Sequence, residues 1–201
     1  VTNMASMFNG CSNLTELDLR NFDTSNVEDM SYMFNRCSNL TELDVSNFNT
    51  GKVTNMASMF NGCSNLTELD VSNFDTSNVR NMFCMFAEIS NLKKLDLSKF
   101  NTRNVTNMEG MFQGCNSLTE LDVSNFDTSN VTNTVYMFIR CSNLTELDIS
   151  SFDTSNATDM YGMFCDCAKL ANIYVGENWN VSKADTSGMF SGCGTSTVTK
   201  K

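Results

Sequence analysis

The apolar positions of this chain return every 26 residues. A Met–Phe pair stands at 7/8, 33/34, 59/60, 85/86, 111/112, 137/138, 163/164 and 189/190, with no insertion or deletion between copies. One phrase reads Met33-Phe34-x-x-Cys37-x-x-Leu40-x-x-Leu43-Asp44-Val45-x-x-Phe48. A strict period of this length marks a solenoid, in which each repeat is one coil stacked on the last. A single coil buries too little apolar surface to offset the entropy of ordering its backbone, so the coils stand only as a stack.

Within the coil spanning 37–61, Leu40, Leu43 and Val45 face inward at strand spacing, which turns Glu42 and Asp44 outward. Equivalent strands are predicted at 14–19, 40–45, 66–71, 92–97, 118–123, 144–149 and 170–175, all running one way, which makes a parallel sheet. Asp-Thr-Ser or Asn-Thr-Gly then supplies turn chemistry. Val53, Met56, Met59, Phe60 and Cys63 follow at offsets of 0, 3, 6, 7 and 10, a helical spacing. It predicts a short helix over 54–61 and its equivalents, with Gly10, Gly62, Gly114 and Gly192 as left-handed C-caps. The fold class expected is an α/β repeat solenoid: a right-handed coil stack with a parallel sheet on one face and short helices on the other.

Residues 1–194 read as a single solenoid of about seven coils, and 195–201 as a polar closing strand or tail ending in Lys200-Lys201. Val1-Thr2-Asn3-Met4 matches Val53-Thr54-Asn55-Met56, so the chain opens inside a repeat and reads as a piece of a longer array.

Composition narrows the function. Hydrophobic residues make up 41% of the chain, enough for a core. Acidic residues outnumber basic ones 23 to 13, a net charge of −10 that disfavours nucleic acid and anionic membranes as partners. No apolar run has the length of a transmembrane helix. There is no histidine, which removes the commonest general base and metal ligand. Glycine-rich phosphate loops are missing too. Paired Glu and Asp recur in nearly every coil, whereas a catalytic pair occurs once. An enzyme, a cofactor and a metal centre are therefore not expected.

Seven of the nine cysteines (Cys11, Cys37, Cys63, Cys115, Cys141, Cys167 and Cys193) share one repeat position, where the fourth coil has Ile89. An Ile in that slot marks it as buried and apolar. Parallel side chains ~4.8 Å apart along a stack suit a reduced ladder better than disulfides. Cys165-x-Cys167 lacks the second pair that a metal site needs.

Candidate binding residues lie on the outward strand face. One column runs Glu42, Glu68, Lys94, Glu120, Glu146; its neighbour runs Asp44, Asp70, Asp96, Asp122, Asp148, Tyr174. Stacked carboxylates at that spacing repel by ~0.9 kcal/mol per pair in a water-like dielectric. Solvent, local hydrogen bonds, cations or a basic partner must relieve this. No Asp-rich calcium-loop spacing is present. In the fourth coil Arg80, Lys93, Lys94, Lys99 and Arg103 gather, either as a contact for an acidic group or as charge relief within the ladder.

Leu66, Leu69, Asp70, Val71, Ser72, Phe74, Asp75, Thr76, Ser77, Val79, Met82, Met85 and Phe86 carry a phrase that resembles the BspA-like group of bacterial surface leucine-rich-repeat proteins; Ile89 departs from it at the Cys position. The resemblance spans nearly the whole chain. It implies a non-enzymatic protein of the cell surface or the extracellular space. Its partner would be a host extracellular-matrix protein or another cell-surface protein, bound through the acidic strand face. The alternative is a structural spacer, or a scaffold that assembles end to end.

Overall fold

A computed structural model describes all of residues 1–201. It is a stack of coils joined chiefly along the back, where the helices were expected. No helix forms. In the coil 56–63, the N–H groups of Met56, Ser58, Phe60 and Gly62 donate to the carbonyls of Asn81, Phe83, Met85 and Ala87 in the next coil, at 2.6–3.0 Å. The alternate N–H groups stay within the coil. Met59, Asn61 and Cys63 donate to the carbonyls three residues back, and Ala57 donates to the Asn55 side chain at 3.1 Å. Every N–H of this segment is thereby satisfied.

The physical reason for the missing helix is visible in the dihedrals. Ser58 and Gly62 have φ of 53° and 74°, and the same two slots are left-handed in every coil. Such residues interrupt a right-handed helix but complete turns whose third residue has positive φ. Consecutive turns advance side chains by three and four residues, so they produce the same apolar spacing as a helix. The glycines expected as C-caps occupy one of these slots. In both slots glycine also makes room for the coil before it. A Cβ on Gly110 would stand 2.7 Å from the Cys84 sulfur, and one on Gly162 would stand 2.6 Å from the Tyr136 ring.

The front differs from expectation as well. Only three strands form a ladder: β1 (Glu146–Ile149), β2 (Asn172–Val175) and β3 (Thr199–Lys200), parallel and in that order. Glu146 pairs with Asn172, Asp148 with Tyr174, and Tyr174 with Thr199. The segments 14–19, 40–45, 66–71, 92–97 and 118–123 exchange no backbone hydrogen bonds with each other. Side chains span the coils instead. The Asn47 amide donates to the carbonyls of Leu19 and Phe22, at 3.0 and 3.2 Å. The buried Thr76 hydroxyl donates to the Asn101 carbonyl at 3.0 Å and accepts the Asn101 N–H at 2.8 Å.

Between the walls lies one continuous apolar core. Phe8, Phe34, Phe60, Phe86, Phe112, Phe138, Phe164 and Phe190 stack with ring centroids 5.6–6.0 Å apart. All nine cysteines are free thiols. In the column, Cys63 donates to the Phe34 carbonyl of the coil before at 3.1 Å, and Cys115 does the same to Phe86. The Phe34 carbonyl also accepts the Cys37 N–H, so there the thiol occupies its second lone pair. Burial pushes the thiols of Cys63 and Cys115 up to about 12, which keeps them unreactive. Where Ile89 replaces Cys, the Phe60 carbonyl keeps only its local partner.

Two substitutions test this wall-and-ladder scheme. Thr76→Val strands the backbone groups of Asn101 and should cost about 1–3 kcal/mol in urea unfolding. Ser58 is fully buried, left-handed, and its hydroxyl has no partner. Ser58→Gly should therefore raise stability by about 1 kcal/mol in the same assay.

Candidate functional site

The outward front face is built by a short pattern in each coil. In Leu40–Val45, Leu40, Leu43 and Val45 are buried, while Thr41, Glu42 and Asp44 are exposed. Strict alternation would have turned Thr41 inward. Thr41 and Glu42 instead both face solvent, as Thr145 and Glu146 do in the coil that carries β1.

All the predicted residues lie on this face, but they do different work. The Asp column is structurally occupied. Asp44, Asp70, Asp96, Asp122 and Asp148 each accept the N–H two residues on, from Ser46, Ser72, Ser98, Ser124 and Ser150, at 2.9 Å. This is the Asx turn that swings the chain off the front and into the Phe corner. The Ser72 and Ser124 hydroxyls, with their N–H groups, hold Asp70 and Asp122 below the ordinary carboxylate range. In the first coil the Arg20 guanidinium, 2.7 Å away, brings Asp18 to about 2. At the far end Lys201 hydrogen-bonds Asp148, bringing it also to about 2, and places its ammonium 4.6 Å from the centre of the Tyr174 ring. Tyr174 is thus engaged within the fold.

The Glu column is free. Glu42, Glu68 and Glu146 are exposed and make no side-chain hydrogen bond or ion pair. Glu120 meets Lys94 at 3.3 Å, so Lys94 relieves charge within its own column. Lys93, Lys99, Arg80 and Arg103 form no ion pair.

Between successive coils the face opens into grooves. One of about 490 Å³ is lined by Thr41, Glu42, Asp44, Thr67, Glu68 and Asp70. The next, of about 640 Å³, adds Lys93, Lys94 and Asp96 to Glu68 and Asp70. The exposed threonines are the part that strand logic missed. Their signal was present in the recurring Thr-Glu pair. No group of three His, Cys, Asp or Glu side chains converges as a metal site, and no helix is long and apolar enough to cross a membrane.

The sequence model of the family described as "Mycoplasma protein of unknown function, DUF285" matches residues 2–116 and again 85–199. The chain belongs to that family. Among solved structures, a leucine-rich repeat protein from Bacteroides ovatus ATCC 8483 is similar at a TM-score of 0.50 and 19% identity, over 92% of this chain and 45% of that one. The functional domain of InlJ from Listeria monocytogenes, described as including a cysteine ladder, is similar at a TM-score of 0.38 and 19% identity, over 94% of this chain and 44% of that one. This DUF285 chain therefore spans less than half the length of either solved protein. The Bacteroides structure places it among leucine-rich-repeat solenoids by fold. No curated protein matches it.

The lowered Asp residues set a direction for acid sensitivity. A carboxylate whose folded value lies below its unfolded one adds stability above the unfolded value, and loses it as pH falls through the folded value. The melting temperature should fall as pH drops from about 4 toward 2. Asp122→Asn keeps the turn acceptor but loses the charge that its Ser124 hydrogen bonds favour, so it should melt slightly below the parent at neutral pH and lose the Asp122 share of the acid sensitivity. Asp122→Ala should melt lower still, as circular dichroism would show.

Proposed function

We propose that this chain is a non-enzymatic protein-binding module whose contact surface is the free Glu column and the threonine-edged grooves beside it. One observation carries the reading: Glu42, Glu68 and Glu146 are the carboxylates of the face that the fold does not use. None of the three has an ion-pair partner within the fold. The front backbone of the first five coils is likewise unpaired across coils, which leaves hydrogen-bonding groups for a partner. A partner presenting Lys and Arg satisfies both. The Asp column holds the turns that keep the Glu side chains in register.

The resemblance to BspA-like surface proteins supports display outside the cell and adhesion to a matrix protein or another cell. The acidic surface fits that setting.

The test is binding to immobilised extracellular-matrix proteins and to a Lys/Arg-rich peptide by surface plasmon resonance. Glu42→Lys/Glu68→Lys should weaken binding at least tenfold, and added salt should weaken the parent's binding. Glu28→Lys reverses one charge away from this face and should bind like the parent, whereas Glu68→Lys alone should already weaken binding. Equal binding by all of these proteins removes the Glu column from the mechanism.

A further inference from the structure

The front face repeats, and repetition poses a register problem. Most inner coils offer a Thr–Glu pair at the same two exposed slots: Thr41-Glu42, Thr67-Glu68, Thr119-Glu120 and Thr145-Glu146. A basic partner moved along the stack by one coil meets the same groups again, so these columns attract it without fixing where it sits. Only a break in the repeat can do that. The fourth coil supplies one, with Lys93-Lys94 in both slots, while Leu92, Leu95 and Leu97 keep the buried pattern of the other coils. The change is confined to the solvent side, where packing does not ask for it.

The basic residues of this region differ in what they meet. Lys94 pairs with Glu120 at 3.3 Å. Asp96 is held below the ordinary carboxylate range by Ser98 and then by Lys99, and Asp127 by Ser129 and then by Arg103. Each of these three cations thus offsets a carboxylate of the fold. Lys93 is exposed and forms no ion pair. It shares the groove of about 640 Å³ with Glu68, itself exposed and unpaired, and the two are not paired with each other. This groove therefore presents one uncommitted cation beside one uncommitted anion. The groove of about 490 Å³ before it has Glu42 and Glu68 and no cation, and one of about 410 Å³ beyond it has Glu120 and Glu146 and no cation.

We propose that Lys93 is the specificity-determining residue of the front face: it takes a carboxylate of an extended partner segment whose neighbouring Lys or Arg residues meet Glu42 and Glu68, and so fixes the coil on which that segment sits. The inference rests on the Glu column as the contact surface. It adds the partner's charge order, basic groups followed by an acidic one in the direction from the second coil to the fourth. A wholly basic segment laid in that place brings a cation against Lys93 and Lys94, and the repulsion drives it to another register. Lys93 thus both selects and rejects.

Surface plasmon resonance with two probes tests it: a Lys/Arg-rich peptide, and a peptide of equal length in which one central residue is Glu. Lys93→Thr/Lys94→Glu restores the residues of the other inner coils at two exposed sites, and an unchanged circular-dichroism melt would show that the variant folds. The parent should bind the mixed peptide about threefold more tightly than the basic one, or better. The variant should reverse that order. A photo-reactive group at one end of the mixed peptide should label one coil of the parent, as mass spectrometry would show, whereas the basic peptide should label several coils of the variant. Equal binding of the two peptides by the parent, a preference that the variant retains, or labelling of many parent coils by the mixed peptide overturns the role of Lys93. Glu68→Lys separates this from the Glu column. If the parent binds both peptides equally and Glu68→Lys still weakens binding, the Glu column stands and the register role alone falls. If Glu68→Lys leaves binding of both peptides unchanged, the Glu column falls and the charge order falls with it.

Discussion

One row of N–H to carbonyl bonds, repeated at every junction along the back wall, governs the rest of the molecule. It fixes the distance between coils, and with it the stacking of the Phe column and the reach of each Cys thiol to the carbonyl of the coil before. Each of these is a modest interaction. They accumulate because the 26-residue period brings the same partners together at every junction. The left-handed residues at two slots per coil are a consequence of the same arrangement. They cost about 1–2 kcal/mol each where they are not glycine, and the surrounding hydrogen bonds hold them in place.

The division of labour on the front follows from the tight back. Most coils do not zip into a sheet there, so the front is organised by Asx turns and by Thr and Asn side chains that cross between coils. That arrangement consumes the aspartates and releases the glutamates. A face that looks uniformly acidic in sequence is thus two columns with different roles, one holding the turns and the other presented to solvent.

Much of this was legible in the sequence. The period, the buried Met, Phe and Cys columns, the free thiols and the outward Glu–Asp face all follow from spacing and alternation. The back wall was misread because turns with three-residue closure reproduce the Val53-Met56-Met59-Phe60-Cys63 spacing of a helix. The decisive sign lay in residues such as Ser58 and Tyr136, whose positive φ no apolar pattern encodes. The front was overread as a full sheet because Leu43-Asp44-Val45 does alternate, although Leu40-Thr41-Glu42 does not. The separate roles of Asp and Glu depend on where the Ser46 and Ser72 N–H groups point, which is a matter of backbone path rather than residue type.

The central claim is that the back wall, not the front, joins the coils. Residue-resolved amide hydrogen exchange tests it most directly. Exchange should be slow at Met56, Ser58, Phe60 and Gly62 and their equivalents in the inner coils. It should be fast across Thr67–Asp70 and the matching front segments ahead of β1. Strong protection along every front segment, with rapid exchange at those back-wall amides, would contradict it and restore a sheet-fronted stack with helices behind.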